Sequence, residues 1–338
     1  MQSKEKLSQS EIKSENTFAV FSEIAGSDGI SRAEISEKTG LSLMTVGKVA
    51  DMLTHEGIII QAKPATGNAG RRAGMLTLSD NHFLMTLDVA TRKFRASVSD
   101  IGLNVIDSLV YLYNDGLLPE DNIIIFFREA CSLLMKHLMT KKLSGIGICV
   151  PGTYDAESDT VISPKLRELN GIKIAENCKK AIGISPDRII NSAEAAALSE
   201  LSSLPDEKRG CTVSLELDSG ICGCVTLGGR ILARQSDFEA LSCRNGKTLG
   251  RNTEELTAEE ELCAEIGSAL RPIISVLCPN CVFIRSSERI FTEWFPTLLS
   301  NELKTKNCTP EVFFENNGNS RADIGLAELI VSDMIKKL

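Results

Sequence analysis

The 338-residue chain has no apolar run near the roughly 18 residues that a membrane-spanning helix needs. Its first 16 residues are polar and interleave Lys4, Lys6 and Lys13 with Glu5, Glu11 and Glu15, so the apolar core of a signal peptide is missing too. These two absences lead us to expect a cytoplasmic protein with no membrane partner. Aromatic residues are few, at 5%, yet the 43% apolar share is ordinary for a folded chain. Histidine occurs only three times: His82 and His137 lack neighbouring ligands, and His55 lies beside Gly57 at a helix end where a cation favours the dipole, so none has a catalytic role. Eleven cysteines in a long chain without a secretory leader read as buried thiols rather than disulfides. Cys278-Pro-Asn-Cys281 has C-x-x-C spacing, but read alone it is a chance pairing.

An excess of basic charge is also absent. The net charge is −8, and residues 17–78 carry six Lys/Arg against six Asp/Glu. Charge by itself does not suggest nucleic acid. Between Ser42 and Arg72, however, the balance is four basic to two acidic, a modest positive stripe.

The length exceeds what one core serves well and suits two or three domains. Phe18, Phe21 and Ala25 have the spacing of one helix face, with Gly26 and Asp28-Gly29 as the stop. Ser31 and Glu34 form the capping-box pattern, predicting a short helix from Arg32 to about Thr39 that ends at Gly40. Ser42 caps a third helix in which Val46, Val49, Ala50 and Leu53 recur at helical spacing and face inward, before Gly57. Two short helices joined by a glycine-containing turn make a helix-turn-helix, whose second helix fits a major groove about 12 Å wide. Ile58–Ile60 and Met75–Leu78 read as two strands of a wing around the tip TGNAGRR. The DNA-contacting candidates are Ser31, Arg32, Ser42, Met44, Thr45 and Lys48, with Arg71 and Arg72 at the wing tip for phosphates or a narrow minor groove.

Beyond this head, β-rich stretches (83–98, 145–150, 212–227) alternate with helical ones (122–139, 193–201, 259–275), which argues for an α/β class. SRAEISEKTGLSLMTVGKVADMLTHEGIII followed by GRRAGMLTL resembles the start of regulators of the ROK family (repressors, open reading frames and kinases). The likeness continues in order through LDVATRKFRASVSDIG, GIGICVPGTYD, SPKL, NSAEAAALSE, LELDSGICGCVTLGGRIL and NSRADIGLAELIV. The resemblance implies a winged helix-turn-helix at 1–80 and a two-lobed, actin-like, sugar-kinase-like domain. Its lobes would be 81–190 and 191–338, with the C-terminal helix packing back on the first. It further implies a double-stranded DNA operator, a homodimer, and a sugar or sugar-phosphate effector held near Gly152, Lys165, Asn191, Ser192, Glu239 and Ser242.

The same resemblance argues against catalysis. Asp88-Val89-Ala90-Thr91-Arg92 stands where the family's kinases have D-x-G-G-T, so side chains replace both glycines. Asp218 stands at the second phosphate loop, where two like charges about 4 Å apart cost roughly 1–4 kcal/mol. Ser192 occupies the place of the catalytic Asp and cannot act as its base. Glu239-Ala-Leu-Ser242 lacks the family's His, and the run after Cys243 lacks its zinc cysteines, so neither metal nor cofactor is expected. Ser192 makes the pocket less acidic and Lys165 makes it more basic, which favours an anionic effector. Two other readings stay open: an effector-independent DNA-binding dimer, and a residual sugar kinase.

Overall fold

The computed structural model describes residues 9–61, 74–90, 92–163, 166–217, 221–233, 255–286, 292–316 and 321–338. Three helices open the chain: α1 (Gln9–Ala25), α2 (Arg32–Thr39) and α3 (Leu43–His55). Both reciprocal bonds of the Ser31–Glu34 capping box form at the start of α2, and Gly40 at φ 70° ends it in the left-handed region. Ser42 caps α3 by accepting from the Thr45 N–H. Ser31→Ala removes one side of the capping box and is expected to cost about 1 kcal/mol. Urea unfolding of the full chain measures it; an unchanged midpoint would mean that tertiary packing alone sets where α2 begins.

Val46, Val49, Ala50 and Leu53 are buried as their spacing requires. The first helix differs from expectation. Its buried face is Thr17, Val20, Phe21 and Ile24, whereas Phe18 is half-buried and Ala25 exposed. The wing strands are β1 (Ile59–Gln61) and β2 (Leu76–Leu78), antiparallel with Ile59 opposite Leu78. The first is shifted one residue from the predicted span, because Ile58 turns inward as core.

The body repeats one plan twice. In the first half, β3 (His82–Asp88), β4 (Lys93–Asp100) and β5 (Val105–Leu112) form an antiparallel meander. After α4 (Pro119–Leu138) comes β6 (Lys142–Val150), then a small hairpin of β7 (Thr153–Asp155) and β8 (Thr160–Ile162). After α5 (Ile174–Ile182) comes β9 (Arg188–Asn191). The sheet order is β5-β4-β3-β6-β9, with β6 parallel to both β3 and β9. The second half begins with α6 (Ser192–Ser202), then the meander β10 (Cys211–Leu217), β11 (Ile221–Leu227) and β12 (Arg230–Ala233). It continues through α7 (Glu255–Leu277), β13 (Cys281–Ser286), α8 (Phe295–Leu303), β14 (Glu311–Asn316) and α9 (Arg321–Lys336). Its order, β12-β11-β10-β13-β14, matches the first sheet position for position.

Strand β3 is buried along its whole length because both faces are covered. Phe83, Met85 and Leu87 join the core under α4 and α5, while Leu84 faces the opposite side with α9. That second side is continuous with the head: Val20, Ile24, Val49, Leu53, Leu84, Cys149, Leu326 and Ile330 lie in one apolar cluster. Helix α9 therefore packs on the first sheet although it ends the chain. Among the described residues, no helix is long and apolar enough to cross a membrane.

Candidate nucleic-acid interface and effector pocket

The front of α3 is exposed in the way a reading surface must be. Leu43 and Met44 are 59% and 72% exposed, and Lys48 also faces outward. Ser42 and Thr45 share a hydroxyl contact of 2.9 Å, so their hydroxyls form one polar unit at the helix start. A hollow of about 460 Å³ opens between α1 and the first half of α3, with Ile12, Asn16, Thr45, Lys48 and Met52 on its walls. The pattern had singled out Met44 but not Leu43. Spacing alone sets Leu43 beside Ala50, so its exposure follows from its place as the first residue of α3, ahead of the packed turns. Such apolar tips suit contact with thymine methyl groups.

Arg32 is already engaged: its guanidinium meets Asp51 of α3 at 2.6 Å and holds α2 to α3. The pair is largely exposed, so it contributes little to stability and opens cheaply toward a phosphate. Ser31 spends its hydroxyl on the capping box with Glu34. Arg71 and Arg72 lie outside the described residues.

The head is fastened to the end of the chain. The Lys13 ammonium donates to the Leu338 backbone oxygen at 2.6 Å, and the Ser14 hydroxyl to the Lys336 carbonyl at 2.9 Å. The Lys336 ammonium sits 5.1 Å above the ring of Phe18, which packs half-buried against the head core. His82 also binds head to body, through the Glu56 carbonyl and the Ser144 hydroxyl. His137 meets Asp107 at 3.2 Å. Both histidines have structural partners.

Three of the six predicted effector-pocket residues come together where β6 and β9 end and α6 begins. Asn191 caps α6 by accepting from the Ala193 and Glu194 N–H groups, and its amide donates to the Gly152 carbonyl at 3.0 Å. Gly152 is required there because a Cβ would lie 2.1 Å from the Ile162 carbonyl oxygen. Ser192 follows as the first residue of α6 and is buried. Asn191 thus works as a cap and a strap, which limits how much of its side chain can serve a ligand. Lys165, Glu239 and Ser242 lie outside the described residues, as do Asp218 and Cys243.

The first-loop residue Asp88 is buried and accepts from the Ala90 N–H at 2.8 Å. Sequence reasoning missed its neighbour. Asp323, in the first turn of α9, accepts from the Ser97 hydroxyl at 3.2 Å, and Arg95 stands 4.0 Å away. Burial, and then the Asp88 charge, push the Asp323 carboxyl well above the usual carboxylate range, against the opposing pull of Arg95. An acid raised in the folded state binds its proton more tightly there than in the unfolded chain. Stability is therefore lost as pH rises from near 4, where the unfolded acid ionises. Asp323→Asn keeps an acceptor for Ser97 and removes the ionisation. It is expected to stabilise the fold by about 1–3 kcal/mol at pH 8, with the gain shrinking toward pH 4. Thermal unfolding of both proteins across that range measures it; a loss of stability at every pH would mean that the carboxylate is needed by Arg95.

A second buried network ties α6 to the second sheet. Glu200 accepts from Arg285 at 2.6 Å, and the same Arg285 nitrogen donates to Ser214 at 2.7 Å.

No family model matches the chain. By sequence, it is 27% identical over 200 residues to the xylose repressor of Bacillus subtilis, 57% of this chain and 50% of that protein. The chain thus matches about half the length of such curated relatives. By structure, it is similar to a ROK family transcriptional regulator described as a homologue of the E. coli MLC protein. That likeness has a TM-score of 0.68 at 14% identity and covers 96% of this chain and 98% of the other. A ROK hexokinase from Thermus thermophilus gives a TM-score of 0.57 at 18% identity, covering 74% of this chain and 99% of the kinase.

Proposed function

We propose that this chain, a relative of the ROK-family regulators, is a DNA-binding transcriptional regulator whose sugar-kinase-like body serves as effector and dimerisation domain. One observation carries the reading. The likeness to a regulator runs through head and body alike, whereas the likeness to a kinase leaves about a quarter of this chain unmatched. The exposed face of α3 and the capped starts of α2 and α3 supply what a major-groove reader needs. The relatives' name, xylose repressor, points to a sugar as the class of effector. Lys165, which the resemblance assigns to the sugar-side loop, favours a sugar phosphate within that class.

In this reading two copies place their heads on half-sites about 34 Å apart or a multiple of it, in the cytoplasm of a bacterial cell. Effector binding near Gly152, Asn191 and Ser192 biases α6, and α9 connects that helix to α1 of the head. A ligand shifts DNA affinity only as far as it distinguishes the two arrangements. Phosphoryl transfer is not part of the proposal, because Ser192 is a hydroxyl with no capacity to act as a carboxylate base at neutral pH.

Selection of fragments of the source genome by the purified chain tests the core of this reading, followed by binding curves at several salt concentrations. A shared palindromic site bound far above random DNA is the expected result. Absence of enrichment at low salt, with folded protein, would overturn it and leave the head as a protein-binding element. Thermal-shift screens with sugars and sugar phosphates at millimolar concentration test the effector, and ATP-dependent sugar phosphorylation would restore the kinase reading.

A further inference from the structure

The C-x-x-C run folds so that its two thiols part company. Cys281 opens β13 and is buried in the small apolar cluster of Leu204 and Phe283. Cys278 follows the end of α7 at φ 43°, its N–H still bonded to the Ile274 carbonyl, and its side chain is exposed. The thiol that borders the Cys278 turn belongs to Cys308, on the approach to β14. Cys308 is half-buried, and its Sγ lies 3.7 Å from the carbonyl of Pro279, the residue after Cys278. Cys211, buried at the start of β10, is close enough to feel both.

The backbone holds this arrangement from three sides. Asn280 donates to the Cys211 carbonyl at 2.8 Å, the Cys211 N–H donates to the Asn280 side-chain oxygen at 3.0 Å, and the Glu311 N–H donates to the Asn280 carbonyl at 2.9 Å. The Cys308 N–H is fixed by the Thr305 hydroxyl at 3.1 Å. Two thiols, one exposed and one half-buried, thereby sit in short connections pinned to the starts of β10, β13 and β14. Among the described residues, no group of three or more ligand types is set for a metal ion, so metal capture is not what this geometry favours.

We propose that Cys278 and Cys308 form an oxidisable pair, Cys278 reacting with a peroxide and Cys308 resolving the product to an intramolecular disulfide. In the first step the Cys278 thiolate attacks one peroxide oxygen, the O–O bond breaks, and a sulfenic acid and hydroxide result. In the second, the Cys308 sulfur attacks the sulfenic sulfur, the S–O bond breaks, and water leaves with the Cys308 proton. Two thiols and one hydrogen peroxide give one disulfide and two waters. The product closes the segment 278–308, joining the end of α7 to the entry of β14. Constraining the unfolded chain in this way raises Tm, by about 5 °C or more for a bond that fits without strain. This inference does not depend on DNA binding.

The test uses the full chain, reduced, freed of reductant and exposed to equimolar hydrogen peroxide. Free thiols are then blocked with iodoacetamide, the bridges reduced, and the newly freed thiols labelled with N-ethylmaleimide before peptide mapping. The expected result is N-ethylmaleimide on Cys278 and Cys308 together, and loss of the mass of two hydrogens from the unreduced protein. Cys281→Ser should leave the pattern intact, while Cys278→Ser and Cys308→Ser should each abolish it. Mapping of the unsubstituted chain decides the matter even where a variant fails to fold. Cys278 bridged to Cys211, to Cys281 or to another molecule would overturn the proposal. So would Cys278 passing to sulfinic acid while Cys308 stays free.

Discussion

Gly325→Ala is expected to lose about 3 kcal/mol or more of unfolding free energy, and Gly325→Val to leave no uniquely packed state. A Cβ at this position would lie 1.8 Å from the Ala195 carbonyl oxygen, 2.7 Å from its carbon and 3.3 Å from the Ser199 nitrogen. All three are backbone atoms of α6, so no rotamer change relieves the clash. Within a helix, glycine is intrinsically worse than alanine by roughly 0.5–1 kcal/mol. Only the close crossing of α9 and α6 offsets that cost. Forcing the helices apart would also lift α9 from β6, where Leu326 and Ile330 lie against Gly147 and Gly145. Urea unfolding and near-ultraviolet circular dichroism measure the effect. A Gly325→Ala protein within 1 kcal/mol of the parent would show that the crossing is looser than this geometry requires.

The second large effect concerns DNA. On a selected site, Thr45→Ala is expected to weaken binding by roughly 5- to 150-fold and to relax sequence preference, as loss of a good base contact does. Lys48→Ala should weaken binding to all sequences alike and lower the salt slope by about one. The two readouts separate a base-reading residue from a phosphate-binding one. Because Thr45 shares its hydroxyl contact with Ser42, Thr45→Val serves as a shape control. Fluorescence anisotropy on specific and scrambled duplexes gives both numbers. Equal affinity of the parent and of a variant carrying both Thr45→Ala and Lys48→Ala for the selected site would remove α3 as the reading helix.

What was legible in the chain was what short-range physics dictates. The Ser31–Glu34 box, the Gly40 stop, the Ser42 cap and the Val46–Leu53 stripe involve neighbours within one or two turns, and each appears where its spacing puts it. The two-lobed body was read mainly through resemblance, and the repeated sheet order agrees with it. Misreadings arose where the partner is distant in sequence. Phe18 reads as core within its own helix, but its neighbour is Lys336 of the last helix. Cys278 reads as half of a local pair, but its neighbour is Cys308. Asp323 looks like an ordinary first-turn acid, and nothing local reveals that it will be buried beside Asp88. Of the residues expected to line a pocket, Gly152, Asn191 and Ser192 are neighbours, because all three border the β6–β9–α6 corner.

The clasp between α1 and the chain's last residues also sets a timetable for synthesis. Lys13 and Ser14 find their partners 325 and 322 residues downstream. A growing chain exposes the head well before α9, so until α9 is made the apolar face of α1 lacks that cover. Docking of the head would thus report that the body up to α9 has been made and folded, and a chain stopped short of α9 would carry a reading helix with no fixed bearing.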